Sequence, residues 1–160
     1  DAGLDLSQRA QAWAIERMIE QQLYWALVGV RWVDDDNFAR GPSHFFDGAP
    51  DEVRQTARAQ VIQNHRANGL GRHSPDEALQ LADRSLMALS VLLAGKPYLM
   101  GNRPCGADAT AFAVLAGIMS PAFEAPLQHQ LRRYSNLLAY ADRMMAQYYP
   151  EHVWQCSAAA

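Results

Sequence analysis

The chain has 160 residues, 49% of them hydrophobic and 19% charged, a composition that excludes intrinsic disorder and suits one domain burying about 70% of its unfolded surface. A net charge of −3 comes from 14 basic and 17 acidic residues spread along the sequence, so no basic stripe marks a nucleic-acid partner. No apolar run approaches the ~20 residues that span a bilayer, and the start, DAGLDLSQRA, has neither the basic nor the apolar segment of a signal peptide.

That start also lacks Met, as expected of an excised, processed or cloned fragment. Apolar residues recur at helical spacing almost throughout, and nothing alternates as a strand does. Ile15, Ile19, Leu23, Ala26, Leu27 and Val30 predict a long first helix over 7–31. Residues 33–50, broken by Gly41, Pro42, Gly48 and Pro50, read as a long irregular connection. Val53, Ala57 and Val61 mark a second helix ending near NGLG. A third opens with Ser74 as N-cap, Pro75 in the first turn and Glu77 completing a capping box. Its stripe is Leu79, Ala82, Leu86, Leu89 and Leu93, with Gly95 as the residue just past its end.

The segment 106–119 is apolar on every side, which predicts a central helix packed all round by others. Pro121 ends it, a short helical stretch follows in PLQHQLRR, and Ser135 begins a last amphipathic helix stopped by Pro150. The terminal SAAA reads as a frayed end. The expected architecture is all-α: a single domain over 1–160 with five to six helices and one buried helix near 106–119.

Two cysteines, Cys105 and Cys156, are too few for a disulfide framework and fit a reducing, cytoplasmic compartment, though a bridge between them is open from sequence. The five His are scattered without metal-ligand spacing, so no metal site is predicted and each reads as a surface or partly buried imidazole.

The stretch KPYLMGNRPCGADATAF resembles the segment leading into the central helix of the C-terminal domain of glutathione S-transferases. There a PYL–Gly–Asp/Asn–Pro pattern precedes a Ser or Thr cap with Asp three residues on. YSNLLAYADRMMAQYYP resembles a late helix of the same family. LYWALVGVRW and DDDNF are similar to the branch containing metaxin and failed-axon-connections homologues. One departure is that Cys105 stands at the cap, a weaker acceptor than Ser or Thr. Cys105 reads as a capping thiol rather than a reactive one, because Asp108 disfavours a second anion beside it. Asp108 reads as the structural partner of that cap.

The resemblance implies a two-domain protein. Its thioredoxin-like N-terminal half would bind glutathione, a co-substrate rather than a cofactor of this chain, and would supply the activating Tyr, Ser or Cys. Nothing in 1–160 resembles that half, so the expectation is that it is absent and that this chain alone carries no catalytic residue. The helical half would contribute the wall of an apolar co-substrate pocket and contacts to its own N-terminal domain or to a homodimer partner. Trp25, Val28 and Trp32, bordered by Tyr24, share one face of the first helix and are the pocket candidates for a small apolar electrophile. They read equally as residues packed in the core, or left uncovered beneath the other domain. Arg31 beside them reads as a ligand for an acidic group or a solvated arginine. The alternative function is a non-catalytic, metaxin-like interaction module.

Overall fold

A computed structural model describes residues 2–123 and 125–152, so Cys156 and the SAAA end lie outside the described residues. The first helical run begins after a reciprocal Asp5–Gln8 cap. It passes without a break through α1 (Leu6–Met18), a π-turn (Ile19–Leu23), α2 (Tyr24–Val28) and a second π-turn (Gly29–Val33). The π-turns have a physical reason. Ile15, Ile19, Leu23 and Leu27 recur at four-residue steps, each overshooting a full α-helical turn by about 40°. The wider π winding takes up that excess, and all four side chains are buried.

The irregular connection expected over 33–50 is instead structured. It holds α3 (Asp35–Arg40), capped by the Asp34 carboxylate accepting from Asn37 N at 2.8 Å, and a 3-10 segment (Pro42–Phe46). A six-residue helix is too short to show a period, and the breakers around it mask its cap. Then come α4 (Asp51–Asn68), a 3-10 turn (Leu70–Arg72) and α5 (Pro75–Leu93). They are followed by α6 (Gly106–Ile118), α7 (Pro126–Arg132) and α8 (Ser135–Tyr148). Counting the 6–33 run as one, the described residues form seven α-helical elements and no strand. The fold is all-α, with α3 the helix the sequence does not announce.

The core lies where α1, the first π-turn, α5, α6, α7 and α8 meet, around Ile19, Leu23, Leu86, Leu115, Leu131 and Leu137. Ser74 and Glu77 form the expected box at the start of α5. At its other end the backbone reversal falls one residue early. Ala94, not Gly95, takes the positive φ, at φ 50° and ψ −126°, and Lys96 N closes the turn on Leu93 O at 3.0 Å.

The central helix departs from expectation. Ala107, Ala111, Leu115 and Ile118 of α6 are buried, but Ala109 and Ala113 are exposed. The helix is apolar all round yet packed on only part of its circumference. The open side is small-residue surface that hydropathy cannot tell from a buried side.

Candidate functional site, a groove between two helices

The loop from Ala94 to Cys105 stops α5 and aims α6 into the bundle. Tyr98 and Gly101 exchange backbone hydrogen bonds at 3.1 Å each way, a tight reversal that requires Gly101 at φ 126°. Three side-chain bonds pin the loop: Lys96 Nζ donates to Leu99 O at 2.7 Å, Arg143 to Pro97 O at 2.6 Å, and Tyr98 Oη to Gln147 at 2.8 Å. The last two tie it to α8.

At the loop's end α6 begins, and its first N–H groups need partners away from water. Asp108, fully buried, supplies them. Its Oδ2 accepts from Cys105 N at 2.9 Å and from Cys105 Sγ at 3.3 Å. Its Oδ1 accepts from Leu99 N at 2.9 Å and from Tyr140 Oη at 3.0 Å. One carboxylate thus joins the loop, the start of α6 and the middle of α8. Burial first, then the neighbouring Asp108 charge, pushes the Tyr140 phenol far above its ordinary value. The phenol therefore stays a donor.

The same surroundings set the chemistry of Cys105. Burial pushes its thiol up, and the hydrogen bond to Asp108 and the carboxylate charge add to this. The backbone amides of the helix start pull it down, but they do not prevail. At neutral pH Cys105 is a protonated thiol and a poor nucleophile.

Cys105 and Asp108 stand at one end of a groove of about 830 Å³ between α6 and α8. Ala109, Ala113 and Ala116 line it from α6, with Phe112 beside them. Met144, Met145, Tyr148 and Tyr149 line it from α8 and its end, and His152 lies at its rim. The rings of Phe112 and Tyr149 stack 5.9 Å apart. Phe112, Met144 and Met145 are buried in the core, as their apolar spacing suggests, and also border the groove, whereas Tyr148 is exposed. Ala109, Ala113 and Ala116 give no distinguishing signal in the sequence, since Ala107 and Ala111 on the buried side are as small.

The residues singled out on the first helix do not line this groove. Val28 is buried. Trp25 lies 6.2 Å from the His65 ring of α4, with Tyr24 edge-on to it at 5.7 Å. Trp32 packs against Phe38 of α3 at 5.7 Å. The face expected to lie uncovered is partly covered by α3 and α4, whose docking a helical wheel cannot show, while Tyr24 stays exposed. Arg31 is half-buried. It donates to Gly117 O at 2.8 Å and lies 4.6 Å over the Phe123 ring, so it is not a solvated arginine. Among the described residues no group of three or more His, Cys, Asp or Glu is placed to hold a metal, and no helix is long and apolar enough to cross a membrane.

Two family models match. Residues 82–144 match the glutathione S-transferase C-terminal domain, which spans α5 to α8. Residues 1–37 match the glutathione S-transferase N-terminal domain. The second match corrects the expectation that nothing of the N-terminal half lies in this chain. Helical periodicity assigned those residues to the helical domain, and from Leu6 on they are helical except at Asp34, but periodicity reports winding and not domain membership.

The chain is 29% identical to an isoprene-epoxide–glutathione S-transferase of Rhodococcus sp. (strain AD45), covering 92% of this chain and 65% of that protein. It is 27% identical to failed axon connections of Drosophila melanogaster, over 94% of this chain and 40% of that one. To metaxin-2 of Mus musculus it is 26% identical, over 93% and 59%. The chain thus spans less than two thirds of the length of each. No solved structure matches significantly. The loop into α6, the late helix and both family models agree: this chain is similar to glutathione S-transferases, and among its relatives are metaxin and failed axon connections.

Proposed function

We propose that this chain serves a glutathione-dependent transferase by seating a small apolar electrophile in the groove between α6 and α8. The observation that carries this reading is the groove itself. It is about 830 Å³, within the size range of small-molecule sites, and is walled by Ala, Met, Phe and Tyr with few polar groups. A relative whose name states that it joins glutathione to isoprene epoxide supports an electrophile of that class. The chemistry at Cys105 supports a division of labour. Its protonated thiol neither competes for the electrophile nor activates glutathione, so the glutathione thiolate is generated by other residues.

The test fills the groove. The dye 8-anilinonaphthalene-1-sulfonate should bind the protein and be displaced by an aryl epoxide, and Ala113→Trp should weaken both by about tenfold or more. Equal dye and epoxide binding in the two proteins would sink the proposal.

A second reading, a non-catalytic interaction module, draws on the floor of the same groove. Three alanines at 109, 113 and 116 let another helix approach closely. Loss of a protein partner in Ala113→Trp, with epoxide binding absent from the unsubstituted protein, would favour it.

A further inference from the structure

Among the longer helices α4 is held differently, for it buries no side chain completely. Its attachment to the first helical run includes polar anchors. In its first half Arg58 donates to Trp32 O and Val33 O at 2.9 Å each and to Asp35 at 2.7 Å, and lies 4.3 Å over the Phe38 ring. In its second half the anchor is His65. The imidazole sits in a slot made by two glycines. A Cβ on Gly29, at the second π-turn, would lie 3.0 Å from Nε2. A Cβ on Gly71, in the 3-10 turn, would collide with Nδ1. Trp25 flanks the ring, and its backbone carbonyl accepts a ring N–H. Asn68, one turn on, accepts from Trp25 Nε1 at 2.9 Å and donates to Gln21 O at 3.2 Å.

One ring nitrogen of His65 is therefore used as a donor, and the slot offers the other no anionic partner. Arg66 faces the ring from its own helix and repels a positive charge there. From the 3-10 turn comes Arg72, whose guanidinium is spent on the Arg66 and Ala67 carbonyls. From α2 comes the Trp25 ring, with Tyr24 edge-on to it. No carboxylate contributes to the ring's electrostatics.

We propose that His65 is a proton-operated latch that holds the second half of α4 against the Trp25–Gly29 segment and releases it on mild acidification. The slot holds the ring against Gly29, Gly71 and Trp25 with no carboxylate paired to it, a setting that favours a neutral ring in the docked state. Burial agrees, holding the imidazole below its ordinary value, with Arg66 adding to the effect and the Trp25 carbonyl opposing it. The sign follows. An undocked His65 binds a proton near the ordinary value of about 6.5 and the docked one only at lower pH, so docking is complete above that value and is lost as pH falls. Opening would bare Trp25 and Gly29 and leave the core helices in place.

Hydrogen exchange and an NMR titration of the His65 ring test this on the unsubstituted protein. Between about pH 7.5 and pH 5, exchange of amides 62–72, corrected for intrinsic rate, should quicken severalfold relative to α6. The His65 ring should titrate below the ordinary value. In His65→Gln, which keeps a donor for the Trp25 carbonyl but cannot gain a charge, the pH effect should vanish. In His73→Gln, which alters an exposed imidazole 3.9 Å from Glu77, it should persist. A His65 ring that titrates at or above the ordinary value overturns the latch. So does loosening that spreads equally to α6, that is absent, or that survives His65→Gln.

Discussion

The junction around Asp108 and the attachment of α4 are both polar, and they differ in almost every other respect. Asp108 is buried completely, and each carboxylate oxygen accepts from two donors. Loop, α6 and α8 all end on the one side chain, amid the apolar core. Arg58 and His65 hold α4 from the rim, with water on one side, and α4 buries no apolar side chain of its own to share the load. The contrast shows that a hydrogen bond's worth depends on where its loss leaves the partners. Breaking the first site strands buried donors, whereas breaking the second returns them to solvent.

The largest expected effect is at the first site. Asp108→Ala leaves the Leu99 and Cys105 amides without their acceptor and the Tyr140 hydroxyl with only the residue 108 carbonyl at 3.1 Å, and should cost roughly 3–5 kcal/mol, as for a broken buried network. That exceeds the ~1–3 kcal/mol expected for a cap and one stranded donor alone, because sequence shows only the Cys105 bond. Urea midpoints decide between the two figures, and a loss under about 1 kcal/mol would erase the contrast.

Arg58→Ala should cost about 1 kcal/mol in global stability, since its carbonyl partners can turn to water. Its local effect should be greater: amide protection in α4 should fall while that in α6 stays unchanged. Global unfolding of α6 alongside α4 would show the two regions to be one cooperative unit.

Ala94→Gly sharpens the comparison from the opposite direction, since the backbone at φ 50° and ψ −126° suits glycine and not an L side chain. The gain should be about 0.5–1 kcal/mol, read as a raised midpoint with no change in slope. An unchanged or lowered midpoint would mean that the loop relaxes this residue in solution.

The smallest expected effect is Cys105→Ser, neutral or stabilising by up to about 1 kcal/mol. The hydroxyl can donate to Asp108 as the thiol does, and it is the better acceptor at the helix start. A Cys105→Ser loss larger than that of Asp108→Ala would give the thiol a role that the cap does not explain. Alkylation of Cys105 in the unsubstituted protein is a companion measure. Its rate should rise with pH to a midpoint above that of a free thiol, in line with the upward push from burial and Asp108.

Sequence by itself determined the helical class, the start of α5 at Ser74 and the pairing of Asp108 with Cys105. Each of these depends on residues within a few positions of one another, and local spacing carries that information. Apolar stripes likewise named Ile19, Leu23, Leu86 and Leu89 as core, because burial is written into their period. Tertiary structure alone decided the rest. Tyr140 and Leu99 reach Asp108 from 32 and 9 residues away. Trp25 and Trp32 lie under α4 and α3, and His65 meets Gly29 across the chain. The groove is the plainest case. Ala109, Ala113 and Phe112 carry the same hydropathy whether a neighbour covers them or not, so only the placement of α8 separates a core residue from a binding surface.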